Sequence, residues 1–398
     1  MQIPMSSPDL TDDELAAVGQ VLQSRYLSLG PRIERFERAL ASYVGAKHAV
    51  GVNSGTSGLH LAVVAAGVQE GDLVITTPFS FVASANCILY ERGIPVFVDV
   101  DPVTGNIDPG LIAVAIHDLV NGGSHADRWV PGKVSASRLG RVKAILPVDV
   151  FGQPVDIDPI MEIASRYGMV VIEDSCEVIG SEYKGRKAGT LGDVGVFAFY
   201  PNKQMTTGEG GMLVTDRDAW DGLFRSLRNQ GRDIFDAWRN HTRLGYNYRL
   251  DEMSAGLGLA QLRRLEELMD RRTRVADWYN ARLSAHELIE TPTILPETTR
   301  MSWFLYVVRI GPPASRDRAI AELKARGIPS RPHFTPIHLQ PFYRERFGYR
   351  QGDYPIAEKL GATSLALPFS RVMTEAQVDY VCEELIATAE RTQLGRPE

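Results

Sequence analysis

The 398-residue chain predicts an α/β fold built on a largely parallel sheet, followed by a smaller α+β domain. From residue 50 to about 215, short β-rich runs alternate with helical patterns, the signature of βα units. After residue 250 the texture changes to a long charged helical stretch, an alternating run and further helices. The 44% hydrophobic content is ordinary for a globular protein and supplies a sizeable core. We therefore expect a large domain over residues 1–250, whose N-terminal segment can pack on the small domain, and a small C-terminal α+β domain over 251–398.

The expected strands of the large domain are "DLVITTP", "IPVFVDV", "RVKAILPVDVFG", "GMVVIED", "GVFAFY" and "GMLVTD". Between them, Asp158 can cap the helix "PIMEIASRYG", with Pro159 at its first position and Gly168 stopping it. Residues 118–140 are polar and rich in breakers, which predicts a surface excursion. Beyond residue 250, "DEMSAGLGLAQLRRLEELMDRRTRVADWYNARLS" reads as a long helical stretch and "SWFLYVVRI" as a half-buried strand. Ser315 and Gly327 bracket one helix. Thr374 and Gln377 form a capping-box pattern before the last, whose apolar face carries Val378, Val381, Cys382, Leu385 and Ile386.

Composition narrows the function classes. Forty-three basic against 49 acidic residues give a formal charge of -6, with the basic residues spread along the chain, which argues against nucleic acid or an anionic membrane as partner. Cys87, Cys176 and Cys382 are widely spaced and odd in number, so neither a disulfide framework nor a CxxC site is expected. No HExxH pair is present, and no metal site is expected. No apolar stretch approaches the length of a membrane span and no signal-peptide pattern opens the chain, so the protein is read as soluble and cytoplasmic.

Three short stretches carry chemistry. Lys203, in "FAFYPNKQMTTGEGG", follows a strand end and precedes a loop of glycine and threonine, where α/β proteins place ligands. In "NSGTSGLHLAVVAAG", Gly55, Thr56 and Ser57 open a helix whose free amides and hydroxyls can cradle a phosphate. In "MVVIEDSCEVIG", the strand runs into Glu173 and Asp174, carboxylates that are costly to bury without a cation or donor. Each has a plainer reading alone: a solvated lysine, an N-cap, a turn acid. Together with the aromatic-bearing loop "TPFSFVASANCI" they fit one ligand, pyridoxal phosphate. A lysine bonds its aldehyde, the cradle holds its phosphate, an acid keeps the ring nitrogen protonated and an aromatic ring stacks on it.

With these residues in place the sequence resembles the DegT/DnrJ/EryC1/StrS family of sugar aminotransferases. The resemblance runs from "YLSLGPRIERFERALASYVGAKHAVGVNSGTSGLHLA" through "EDSCEVIGSEYKGRKAGTLGDVGVFAFYPNKQMTTGEGGMLVT" and "LGYNYRLDEMSAGLGLAQL" to "PIHLQPFY" and "SLALPFS". It implies a fold-type I pyridoxal-phosphate-dependent transferase, with a mixed, mostly parallel sheet flanked by helices. By the same resemblance Lys203 is the lysine that bonds the cofactor, Asp174 the acid at its ring nitrogen and Phe81 the stacking aromatic. Gly55, Thr56 and Ser57 form the phosphate turn, and Glu177 lies near the phenolic oxygen. Asn247 reaches the phosphate of a neighbouring subunit, so a homodimer with shared active sites is implied. Ala198, Glu177 and Asp149 stand where serine, glutamine or histidine, and histidine are common in the family.

The resemblance implies transamination, because relatives that act as dehydratases carry histidine in place of the lysine. L-glutamate is the expected donor and a nucleotide-linked keto-sugar the expected acceptor, giving an amino sugar for a polysaccharide or natural product. His333 and His338, with the "PIHLQPFY" loop, could line the acceptor entrance; a structural role for both is equally open. Two other readings stand beside this one: a glutamine-dependent aminotransferase of a free cyclitol ketone, and a pyridoxal-phosphate-binding protein without turnover.

Overall fold

The computed structural model describes residues 3–135, 139–232, 240–312 and 314–393. The large sheet is built from β1 (His48–Val52), β2 (Leu73–Thr76), β3 (Ile94–Phe97), β4 (Val142–Leu146) and β5 (Val170–Asp174). After a hairpin of β6 (Glu182–Tyr183) and β7 (Arg186–Lys187), β8 (Val194–Ala198) and β9 (Gly211–Thr215) complete it. The seven strands lie in the order β1-β9-β8-β5-β4-β2-β3, with β9 antiparallel to both neighbours and the remaining pairs parallel. The sheet is therefore mixed and mostly parallel, as expected. β1 was not among the expected strands. Its five residues, "HAVGV", are short and carry a glycine, a weak strand signal that pairing to β9 overrides.

The strands read as near-continuous apolar runs because both faces are covered. Side-chain alternation splits each strand between two cores. Val50, Val52, Val74, Leu146, Ile172, Val196 and Leu213 pack on one side. Leu73, Ile75, Val96, Ile145 and Val171, and further along the sheet Ala49, Phe197, Met212 and Val214, pack on the other. The helix Gly55–Ala65 lies against the first face, contributing Leu59, Ala62 and Val63.

Several local expectations shift. The helix expected from Pro159 begins at Ile157 with Asp156 at the cap position, while Asp158 pairs with Lys184 and Arg186. Gly168, at φ 64°, ends it in the left-handed conformation. Residues 118–121 belong to the helix Pro109–Asn121, and Asp118 receives Arg128 and the Trp129 indole, pinning the start of the excursion; its residues 136–138 lie outside the described part. The long helical stretch is two helices, Glu252–Arg263 and Leu265–Leu283, broken at Arg264.

A separate core gathers Ile3 with Val275, Ala276, Tyr279, Leu283 and residues up to Ala389. It is organised on a sheet of β11 (Val307–Arg309), β12 (Arg331–Pro332) and β13 (Ser364–Ala366); β10 (Thr298–Arg300) instead pairs with β6. The expected strand "SWFLYVVRI" thus keeps only its C-terminal part, Val307–Arg309, and Trp303 near its start adopts φ 51°. The helix Leu265–Leu283 joins the cores: Leu265 and Met269 pack with Phe36 and Phe199, and its C-terminal half with Tyr306 and Phe369. The capping box of Thr374 and Gln377 forms in both directions, and Ser315 caps Arg316–Ala325.

Candidate active site

Parallel strands deliver their C-terminal ends to one edge, where α/β folds bind ligands. β5 ends at Asp174 and β8 at Ala198, and the chain then turns through Lys203 before β9 returns. Around these ends opens a cavity of about 1230 Å³ lined by Gly55, Thr56, Phe81, Asp174, Glu177, Lys203 and His333. The alternation of β5 separates the two acids of "ED". Glu173 turns away and accepts the amides of Gly189, Leu191 and Gly192, whereas Asp174 faces the cavity.

Asp174 is 4% exposed. It accepts the hydroxyl of Ser84 at 2.7 Å and the amide of Cys176 at 3.3 Å, and among the described residues no cation pairs with it. Lys203 Nζ lies 3.5 Å from Glu177 Oε1 and 3.8 Å from the centre of the Phe304 ring. Glu177 also accepts the Phe151 amide at 2.9 Å; burial raises its carboxyl above the usual range, and the charge of Lys203 opposes that rise.

The phosphate-cradle stretch folds as a helix start. Ser54 is the N-cap, its hydroxyl accepting the Ser57 amide at 3.1 Å, so Gly55 and Thr56 stand in the first turn, where amides lack intrahelical partners. A Cβ on Gly55 would lie 2.8 Å from both Ala198 Cβ and Cys176 Sγ, so glycine here and a small residue at 198 let the helix start seat against β8. Ser57 does not line the cavity: its hydroxyl is taken up by Asn53 at 2.7 Å. Ser54, which sequence reasoning passed over, does line it.

Other expected residues separate. His338 is enclosed, with Nε2 2.9 Å from Glu358, and is absent from the cavity lining, which favours the structural of the two roles left open for it. Asn247 lies outside this cavity, exposed, with its carbonyl 3.5 Å from the Asn53 side-chain nitrogen. Asp149 is buried behind the site, accepting the Ser175 hydroxyl and the Val155 amide, and burial followed by the nearby Glu173 charge pushes its carboxyl well up.

His333 does line the cavity, its ring tilted against those of Phe151 and Phe334. Burial, then the charge of Lys203, pushes it down to about 4 from its ordinary 6.5. A depressed histidine contributes stability that is complete above 6.5 and lost as pH falls towards 4. The cofactor-free protein should lose on the order of 3 kcal/mol across that window through this group. His333→Gln should flatten that part of a pH–stability curve measured by urea unfolding; identical acid limbs in the two proteins would refute it.

The residues present fit pyridoxal phosphate on structural grounds. A buried carboxylate without a cation faces the cavity, a lysine amine reaches into it, and a helix start too tight for a Cβ borders it. Fold and site together define a pyridoxal-phosphate-dependent aminotransferase of fold type I. The sequence matches the DegT/DnrJ/EryC1/StrS aminotransferase family over residues 8–386, and the chain belongs to that family. GDP-perosamine synthase of Caulobacter vibrioides is 38% identical over 387 residues, covering 96% of this chain and 97% of the relative. The spore coat polysaccharide biosynthesis protein SpsC of Bacillus subtilis is 35% identical over 395 residues, covering 96% and 95%. A putative sugar aminotransferase of Streptococcus pneumoniae, solved in its PLP form, superposes with a TM-score of 0.87 at 26% identity, covering 98% of this chain and all of that one. No helix among the described residues is long and apolar enough to cross a membrane.

Proposed function

We propose that the protein moves the amino group of L-glutamate to a nucleotide-linked keto-sugar, making an amino sugar for a polysaccharide or a natural product. The observation that carries the reading is the placement of Lys203 Nζ in the cavity, between Glu177 and the Phe304 ring, with Asp174 in the same wall. When bound, the cofactor supplies an electron sink for the charge left on the donor's α-carbon. Lys203 would bond the cofactor at rest and, once freed, would take the proton from that α-carbon and, in the second half, return one to the former ketone carbon. Asp174 would hold the protonated ring nitrogen and Phe81 would cover the ring. Gly55 and Thr56 would hold the phosphate, with Ser54 and Ser57 ordering the turn beneath them. Glu177 sets the resting place of the Lys203 amine. His333, kept neutral by burial, faces the acceptor without adding charge.

Asn247, exposed beside Asn53, is assigned to the phosphate site of a second copy, so the working form is a homodimer with shared sites, in the cytoplasm. One observation favours a nucleotide-linked acceptor over a free cyclitol: the Caulobacter relative is a GDP-perosamine synthase. The test is turnover of GDP-, UDP- and dTDP-linked keto-sugars with L-glutamate, followed by 2-oxoglutarate release and the mass of the aminated sugar. Turnover only with glutamine and a free cyclitol ketone would replace this reading; no turnover with any donor would leave a binding protein.

A further inference from the structure

Two arginines behind the site have no place in the chemistry so far. Arg272, on the helix Leu265–Leu283, and Arg371, in the loop after β13, are 1% and 4% exposed. Neither is paired with a carboxylate among the described residues. Burial lowers Arg272 to about 9, helped by the charge of Arg371, and lowers Arg371 to about 10. Burying two guanidinium ions side by side is expensive, and a buried charge is tolerated where its hydrogen bonds are specific.

Those bonds converge on one turn. Arg272 Nη2 donates to the carbonyls of Asn202 at 3.1 Å and Lys203 at 2.9 Å; Arg371 Nη1 donates to those of Gln204 at 2.6 Å and Lys203 at 3.4 Å. The second fork of Arg272, Nη1, donates to the carbonyls of Trp303 at 3.0 Å and Phe304 at 3.1 Å. Phe304 is the residue whose ring receives the Lys203 amine. One guanidinium therefore holds both the root of the lysine and the backbone of the aromatic face on which its amine rests. Arg371 Nη2 reaches Gln261 Oε1 at 3.3 Å, the oxygen that also receives the Thr206 amide from the far side of the turn.

We infer that Arg272 and Arg371 are positioning residues for Lys203, a two-guanidinium clamp on the carbonyls of residues 202–204 that returns the amine to the same place each time it is released. Carbonyl acceptors suit this purpose better than carboxylates would, because they fix the main chain without adding an anion that could draw the lysine amine away. The planar fork also gives the clamp an orientation, which a lysine at either position could not reproduce. The inference rests on Lys203 being the reacting amine, as proposed above.

The test uses Arg371→Met and Arg371→Lys, with Arg272→Met as the more disruptive variant. In the cofactor-free proteins, hydrogen exchange is followed at the Lys203, Thr206 and Thr207 amides, which bond Tyr200, Gln261 and Phe199 in the wild type. Arg371→Met is expected to speed exchange there at least ~10-fold, with the amides of the helix Glu375–Gln393 unchanged. In the loaded enzyme, kcat of the glutamate half-reaction should fall ~10-fold with KM within about twofold, and Arg371→Lys should fall between the two. Unchanged exchange in the turn, a uniform rise across the C-terminal core, or an unchanged kcat would each overturn the clamp. If the methionine variants do not fold, Arg371→Lys decides by the same readouts. The exchange measurement needs neither cofactor nor substrate, so it remains readable if the wild type proves not to transaminate.

Discussion

Lys203→Ala is expected to slow amino-group withdrawal from L-glutamate by at least about 10³-fold, with little loss of stability. The first half follows from geometry: Lys203 is the cavity's sole lysine among the described residues, and no other group lining it joins an amine to a flexible tether. The second follows from its few contacts. Its ammonium touches Glu177 at 3.5 Å and the Phe304 ring, while its backbone carbonyl stays clamped by Arg272 and Arg371 whatever the side chain is. Removing the cation leaves Glu177 buried without its partner, and the carboxyl, already raised by burial, should rise further. A proton then neutralises it at moderate cost. The measurements are single-turnover release of 2-oxoglutarate and thermal unfolding of the cofactor-free protein. A variant that keeps more than a tenth of the wild-type rate would remove Lys203 from the chemistry.

What the sequence showed and what it hid divide along the lines of local and distant structure. Lys203, Asp174, Gly55 and Thr56 sit within a few residues of a strand or helix end, and those ends are readable from apolar runs and glycines. The structure accordingly brings them to one cavity. Phe304, Arg272 and Arg371 meet the same site from chain segments up to about 170 residues from Lys203, and no motif marks them as site residues. The two roles open to His338 could not be separated for a related reason. Its partner, Glu358, lies 20 residues on, and only the fold shows that the imidazole is spent on that contact. The same holds for Asp158, whose capping position looked right until Lys184 and Arg186 arrived from the β6–β7 hairpin. The break at Arg264 is of another kind. Helical periodicity continues through it, and at the break Arg264 reaches back to Asp9 and Glu14 near the N-terminus, partners 250 or more residues away.

Asp174→Asn should leave stability almost untouched and cut activity sharply. In the cofactor-free protein the Asp174 side chain is enclosed at the end of β5 with one hydroxyl and one amide as donors and, among the described residues, no cation paired with it. The neutral amide fits the same space and can still accept the Cys176 amide, so it should leave the fold essentially unchanged. With cofactor present the substitution matters. The carboxylate is then the group suited to hold a proton on the ring nitrogen, and asparagine cannot supply that charge. Transfer should fall by about 10²–10⁴-fold, the range expected for a lost charge or proton-handling group at a reacting centre. Added pyridoxal phosphate should also raise the melting temperature of the variant less than that of the wild type, because stabilisation by a ligand scales with the logarithm of its affinity. A merely structural aspartate predicts the contrary pattern: a cofactor-free variant that melts earlier and, once folded, transfers amino groups at the wild-type rate. The two melting curves and the transfer rate together distinguish a carboxylate kept for the cofactor from one kept for the fold.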